Sequence, residues 1–263
     1  MTEWIIKPLY YGFTDGQTPG GKICSLPWIG FYLTDGEKRI ICDTGVKTGF
    51  FTNHKSPWGF HAEGGEEFVI KALEKINVDP ESIETVVYTH FHWDHVGNCH
   101  LFPNAVHIFQ DDEWKELLDP LPSMTYYGVH DFRVIQELKR LKCQRVSGDL
   151  TLYDGIDLLH TPGHSAGHQC LRVKTANGIY IIAGDLICAY YMVYPNLATW
   201  QKRNGDVVPI DNDMHKFINN IFLAPIFDHF AWYRSQYRIL GMVHSPEYLI
   251  PGHEPIILGK SFG

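Results

Sequence analysis

The sequence predicts an α/β chain in which two packed β-sheets are covered by helices, folded as one domain over residues 1–263. Three observations predict it. Short β-branched and aromatic runs recur through both halves of the chain, with amphipathic helical stretches between them. Hydrophobic residues make up 44% of 263, enough for a sizeable core, yet no apolar run approaches the roughly 18–20 residues of a membrane span. Several of the strand-like runs end in a turn that presents histidine or aspartate, where loops on a sheet scaffold deliver a site.

Trp4–Tyr10, Ile29–Thr34 and Arg39–Cys42 read as strands, and Asp35-Gly36 between the last two reads as a hairpin turn. Glu66–Ile76 sets Phe68, Val69, Ala72, Leu73 and Ile76 on one stripe and reads as a helix. Thr85-Val86-Val87-Tyr88 has the composition of a buried strand, and Ala105–Phe109 is another. Asp111–Leu118 reads as a helix with acidic residues at its positive end. Asp131 is placed to cap a helix whose Val134, Ile135, Leu138 and Leu141 face inward. Leu150–Tyr153, Ile156–His160, Gln169–Lys174 and Ile179–Ala183 supply further strands. Two late helices, about Asp213–Phe222 and Phe227–Leu240, are separated by Pro225, and a last strand, Glu247–Ile250, precedes Pro251-Gly252-His253. Thr44–Gly65, Asp119–His130 and Leu186–Ile210 show no period; loops of that length often frame a site.

The net charge of −8 argues against a nucleic-acid partner, whose phosphates require a basic face. Cys24, Cys42, Cys99, Cys143, Cys170 and Cys188 form no C-x-x-C pair and read as reduced thiols of a cytoplasmic protein. The opening Met1-Thr2-Glu3-Trp4 lacks the pattern of a signal peptide. Fifteen histidines are an excess for this length and point to metal.

The excess is concentrated in His90-Phe91-His92-Trp93-Asp94-His95, directly after the strand at Thr85–Tyr88. Imidazole nitrogen and carboxylate oxygen suit zinc, iron, manganese or cobalt. Three histidines and an aspartate overfill one open site, so two metal ions served by one loop is the more natural reading. His164 follows Thr161-Pro162-Gly163, His253 follows Pro251-Gly252, and Asp185 follows Gly184, each at a strand end. Pro-Gly is the pair a type II turn prefers.

The ordered set His90-x-His92-x-Asp94-His95, then His164, Asp185 and His253, resembles the metallo-β-lactamase superfamily of metallohydrolases, and Asp43-Thr44-Gly45 resembles the segment usual before its motif. Leu26-Pro27-Trp28 and Thr161–Gln169 resemble the N-acyl-homoserine lactonase branch. The resemblance covers nearly the whole chain. It implies an αβ/βα sandwich of two mixed β-sheets flanked by helices. It implies that His90, His92 and His164 hold one divalent metal ion, that Asp94, His95 and His253 hold the other, and that Asp185 bridges them, with zinc as the first expectation. Asp43 would support a ligand. The implied reaction is hydrolysis of a small acyl substrate, a lactone or related acyl bond, by metal-activated water. Asp94 would be catalytic as well as a ligand, orienting the nucleophile or passing a proton to the leaving group. A thioester or cyclic amide on the same site, or sulfur dioxygenation at a single iron, are the alternatives. Superfamily members that hydrolyse β-lactams carry cysteine where Asp185 stands, which disfavours that substrate.

The chain departs from the lactonase pattern at Cys188, where that branch carries a tyrosine that helps hold the substrate carbonyl. Tyr190 is the candidate for the lost role, with Tyr191 beside it. His168 reads as structural, with a supporting role toward a ligand as its rival. His54, His61 and His130 lie in the loops that frame the expected pocket. Phe50, Phe51, Trp58, Phe60, Tyr126 and Tyr127 suit an apolar pocket or ordinary packing equally, and the Phe50–Phe60 loop suits a pocket or a homodimer contact equally.

Overall fold

Two long antiparallel strands, β1 (Ile5–Gln17) and β2 (Ile23–Thr34), open the computed structural model, which describes residues 2–17, 23–194, 199–201, 205–209 and 226–263. Both outrun the reading from sequence. A bulge between Tyr10 and Phe13, with Gly12 at φ 118°, bends β1 so that it continues and also pairs with β4 (Ala62–Gly64). A side chain at Gly12 would meet the Glu63 carbonyl oxygen at 2.1 Å. β3 (Arg39–Cys42) returns through the Asp35-Gly36 turn, where Asp35 Oδ1 accepts from the amides of Glu37 and Lys38.

The chain continues through α1 (Glu66–Glu74), β5 (Thr85–Val87), α2 (Trp93–Val96), β6 (Val106–Gln110), α3 (Asp111–Leu118), α4 (Pro122–Tyr127), α5 (Val134–Leu138) and β7 (Lys142–Val146). Next come β8 (Leu150–Tyr153), β9 (Ile156–His160), β10 (Gln169–Thr175) and β11 (Gly178–Gly184). A short pair, β12 (Thr199–Gln201) and β13 (Val207–Pro209), precedes α6 (His229–Leu240) and β14 (Leu249–Pro251).

Among the described residues, one sheet has the order β4-β1-β2-β3-β5-β6-β7 and the other β14-β11-β10-β9-β8. Both are mixed: β3, β5, β6 and β7 run parallel in the first, and β11 and β14 in the second. Period-two alternation assigns each strand a face. Phe31, Leu33, Ile40, Cys42 and Val87 meet Leu158, Leu171, Val173 and Ile182 between the sheets. Tyr32, Ile41 and Val86 point the other way, under Val69 and Leu73 of α1 and Leu138 of α5. Leu159, Ile181 and Leu249 lie beneath Trp232 and Ile239 of α6. The layers are helix, sheet, sheet, helix, the αβ/βα sandwich expected.

Several elements differ from expectation for physical reasons. β7 lies at the sheet edge with mostly exposed Lys142, Cys143, Gln144 and Arg145, so it carries no hydrophobic alternation. α4 interrupts the stretch read as loop, with Pro122 in its first turn and Gly128 ending it in the left-handed region. The helix after Asp131 is short, and Leu141 packs on the core from beyond its end. α6 starts at His229, not Phe227, because Asp228 caps the amides of Phe230 and Ala231. Pro246–Tyr248 is a 3-10 turn, so β14 is shorter than read. The helix expected at Asp213–Phe222 lies outside the described residues. Among those described, no helix is long and apolar enough to cross a membrane.

Candidate metal centre

β3 and β5 run parallel, as do β9, β11 and β14, because β9 and β11 both pair antiparallel with β10. The loops that leave these strands carry Asp43, His90–His95, His164, Asp185 and His253. In the metal loop the side chains alternate in destination: Phe91 and Trp93 enter the outer core while the histidines turn toward one another.

His164 Nε2 lies 3.1 Å from His90 Nε2 and 2.9 Å from His92 Nδ1. Asp185 Oδ1 lies 3.0 Å from His253 Nε2 and 3.3 Å from His95 Nε2, while its Oδ2 lies 3.5 Å from His164 Nε2. Asp94 Oδ2 faces His95 Nε2 at 3.6 Å and His253 Nε2 at 3.7 Å. The seven side chains thus fall into two triads, His90/His92/His164 and Asp94/His95/His253, with Asp185 between them.

Hydrogen bonds behind the rings fix their tautomers. Asp43 accepts from the Thr89 amide, the Thr89 hydroxyl and His95 Nδ1, at 2.7, 2.7 and 2.8 Å. Because Thr89 donates to Asp43, its oxygen accepts from His90 Nδ1 at 3.0 Å. His253 Nδ1 donates to the Pro27 carbonyl at 2.8 Å. In their neutral forms, the ones that bind metal, His90, His95 and His253 therefore turn their Nε2 lone pairs to the cluster. A neutral ring offers one proton, too few to link converging acceptor nitrogens. His95 Nε2 and Asp185 Oδ1 are buried, adjacent, and without a hydrogen bond. Divalent cations satisfy such a donor set, so the residues fit two metal ions.

The triads differ electrically. Burial, then the neighbouring imidazoles, pushes His90 and His92 well below the usual histidine pKa, so both are neutral. Burial also acts to lower His95, but Asp94, Asp185 and Asp43 outweigh it and raise that ring well above the usual value. Burial acts to raise Asp185, but His253 and His95 hold it well below the carboxylate range. Asp94 is raised, by burial first and by Asp185.

The supporting backbone is tightly specified. Asp43 has φ 62°, a strained value for a non-glycine residue, while its amide donates to the Val87 carbonyl. Thr44 donates to the His95 carbonyl, and Asn98 to those of Thr44 and Val46. A side chain at Gly163 (φ 138°) would strike the Trp232 backbone at 2.2 Å, so α6 seats directly on the His164 turn. Gly252 does not take the positive φ of a type II turn; it is required because a side chain there would meet the Gly184 carbonyl oxygen at 2.6 Å.

Two residues that sequence reasoning passed over stand behind the three-imidazole triad. Glu113 and Glu116 of α3 are buried. Glu113 Oε2 accepts from the Phe91 amide at 2.8 Å, and Oε1 accepts from the Gly167 amide at 2.8 Å and from the Ser165 hydroxyl. Glu116 Oε2 accepts from the Ala166 amide at 2.6 Å. Burial pushes both carboxyls above their ordinary range. Their one-turn spacing was the available signal, since acids three apart on a helix share a face.

A pocket opens on the cluster, lined by His92, Asp94, His164, Asp185 and His253 and walled by Leu26, Trp28, Trp58, Trp93, Val129 and Cys188. Phe50 and Phe51 stack behind that wall on Trp93 and Trp28. Tyr190 is not brought to the pocket: its hydroxyl donates to the Leu249 carbonyl at 2.8 Å and its ring packs into the core. That geometry gives it no hold on a substrate carbonyl. His168 is buried between Thr161 and the Leu186 amide, as a structural residue would be. His54 and His61 are exposed beside each other, and Tyr126 is exposed. Cys42, Cys99, Cys143, Cys170 and Cys188 form no disulfide.

A family model described as the metallo-beta-lactamase superfamily matches residues 30–253. An N-acyl homoserine lactonase of Bacillus thuringiensis is 29% identical over 167 residues, 60% of this chain and 62% of that protein. A Xenopus laevis protein named metallo-beta-lactamase domain-containing protein 1 is 30% identical over 155 residues, 59% of this chain and 52% of that protein. The chain thus spans less than two thirds of the length of these relatives. A solved quorum-quenching N-acyl homoserine lactone lactonase shares the fold, with a TM-score of 0.72 at 22% identity over 97% of this chain and 93% of that one.

Proposed function

The chain belongs to the metallo-beta-lactamase superfamily, and from that premise we propose that it is a dinuclear metal-dependent hydrolase that opens a lactone or a related acyl bond. The observation that carries the reading is the pair of triads joined by Asp185 at the floor of a tryptophan-walled pocket. Zinc suits the nitrogen and oxygen donors best, with iron, manganese or cobalt as substitutes.

Divalent cations in the two triads would lower the pKa of a shared water from about 15.7 toward about 7 and polarise an acyl carbonyl. The chain's own residues do the rest. Asp94 is the one member of the seven that is only partly buried, and it lines the pocket. A carboxylate at that position is placed to accept a proton from the attacking water and return it to the leaving alkoxide. Trp28, Trp58, Trp93, Leu26 and Val129 exclude bulk water and offer an apolar wall to an acyl chain. Cys188 offers only a weak thiol donor where the resembling lactonases have a phenol, so this chain relies more on the cluster itself to polarise the carbonyl.

N-acyl homoserine lactones are the first substrates to assay, because a lactonase named for them is 29% identical over 167 residues. Thioesters and cyclic amides are the next class. A single-iron reading leaves the Asp94/His95/His253 triad without a role. The decisive experiment combines metal analysis with a panel of lactones, esters, thioesters and amides. Protein holding less than about one metal ion per chain and inert on the whole panel would sink the proposal. Asp94→Asn is expected to lower turnover by about 100-fold or more with the fold intact by circular dichroism; unchanged turnover contradicts its role.

A further inference from the structure

Glu116 uses only one of its carboxylate oxygens in the clamp on the His164 loop. The other, Oε1, is buried without a hydrogen-bond partner. His130, just past the end of α4, places Nε2 3.8 Å from it, and neither ring nitrogen of His130 has a partner. His92 Nε2, the nitrogen not directed at His164, is likewise buried and unpartnered. One ligand-type atom from each of His92, Glu116 and His130 lies within 4.8 Å of the others. Leaving a buried polar atom unpaired costs about 1–3 kcal/mol. Convergence of several at one spot therefore marks a place for a polar guest.

Spacing narrows the guest to a cation or a water. A separation of 3.8 Å is too long for a direct hydrogen bond. Ligands around a zinc-like ion at about 2.0–2.1 Å stand roughly 3.4 Å apart. Partners around one water at about 2.8 Å stand roughly 4.6 Å apart. The observed 3.8 Å lies between the two and nearer the first, so donor chemistry decides: with His92 Nδ1 turned to His164, the ring's one proton sits on Nε2, which can donate to water but cannot ligate a cation. Charge agrees, because His92 already faces the proposed cation of the three-imidazole triad, and a further dication across the same ring would have only Glu116 to offset it.

We propose that Glu116 and His130 hold one buried water against the outer nitrogen of His92, and through it fix the tautomer and orientation of that ligand. Metal-bound histidines donate their second N–H to a carboxylate, a carbonyl or a water, and loss of that partner costs about 10- to 100-fold in metal affinity. Glu116 and His130 are positioning residues acting through His92. The inference rests on the metal-centre reading above.

Glu116→Gln is the primary test. Its oxygen keeps the Ala166 amide bond, while its amide turns the face toward His92 from acceptor to donor. Competition of the metal-loaded full-length chain with a chromophoric chelator reads the affinity of each metal equivalent. One equivalent is expected to weaken about 10- to 100-fold in Glu116→Gln and in His130→Leu, with the other within about threefold of wild type. Melting of the metal-free variants controls for folding. Both variants holding both equivalents within about twofold of wild type would overturn the proposal. So would a third tightly bound equivalent in wild type that either variant loses, since the guest would then be a cation. Wild-type protein that binds no metal overturns the hydrolase reading, and this one with it.

Discussion

His90, His92 and His164 meet through ring nitrogens alone, and the carboxylates that steady them, Glu113 and Glu116, stand outside on α3. Asp94, His95 and His253 meet with a carboxylate among them, and the support beneath comes from Asp43 and the Pro27 carbonyl. One half is thus neutral and held by its loops, the other is ionic, and both reach the pocket, the first through His92 and His164 and the second through Asp94 and His253. The contrast separates two tasks. The neutral half depends on backbone amides being gripped, so its geometry is set by α3. The ionic half attracts a cation by charge, so its geometry is set by where the carboxylates sit.

Asp185→Asn should have the largest effect, because this carboxylate belongs to both halves. Turnover is expected to fall by at least about a thousandfold, about 4 kcal/mol in the barrier, and metal analysis should show weakened binding in both halves. Loss confined to one half would break the symmetry assigned to Asp185. Glu113→Ala comes next. It strands the Phe91 and Gly167 amides, and denaturant unfolding of the metal-free protein should show a loss of about 2–4 kcal/mol. Metal loss should be confined to the three-imidazole half.

Asp43→Gly is the mirror experiment. Glycine tolerates the left-handed backbone there, so what is removed is the grip on Thr89 and His95. A loss of about 1–3 kcal/mol is expected, with metal weakened in the ionic half. The smallest effect concerns acid. Burial pushes His130 down to about 4, below the roughly 6.5 of an unfolded chain. Its contribution to stability is fully present above about pH 6.5 and is lost as pH falls through about 4. Metal-free wild type should therefore lose more melting temperature between pH 7.5 and pH 5 than His130→Leu does. Equal losses would show that the neutral half places no such demand on His130.

The strands and the ligands were largely legible because each has a local signal. Alternation in Ile29–Thr34 and Arg39–Cys42 names their faces, and the histidines and aspartates fall where apolar runs stop. What was illegible depends on partners distant in sequence. Asp111, Asp112 and Glu113 look alike as acids in a first helical turn, yet only Glu113 is buried, because a loop 52 and more residues downstream folds over it. Nothing local announces the left-handed backbone of Asp43 either; it follows from Val87 and Thr89 gripping both its ends. Tyr190 matched a role by proximity to Asp185 in the chain, but the 3-10 turn at Tyr190–Met192 directs its hydroxyl to β14.

The alternation of Phe91 and Trp93 between the ligands has a dynamic consequence. Their rings lie in the outer core, and their amides are tied to Glu113 and to the Val129 carbonyl. The loop therefore has no low-energy opening of its own. Hydrogen exchange at these two amides should follow global unfolding, placing the centre among the most slowly opening parts of the molecule. A loop held in that way enters metal binding already shaped, and little ordering entropy is left to set against the affinity of the ions.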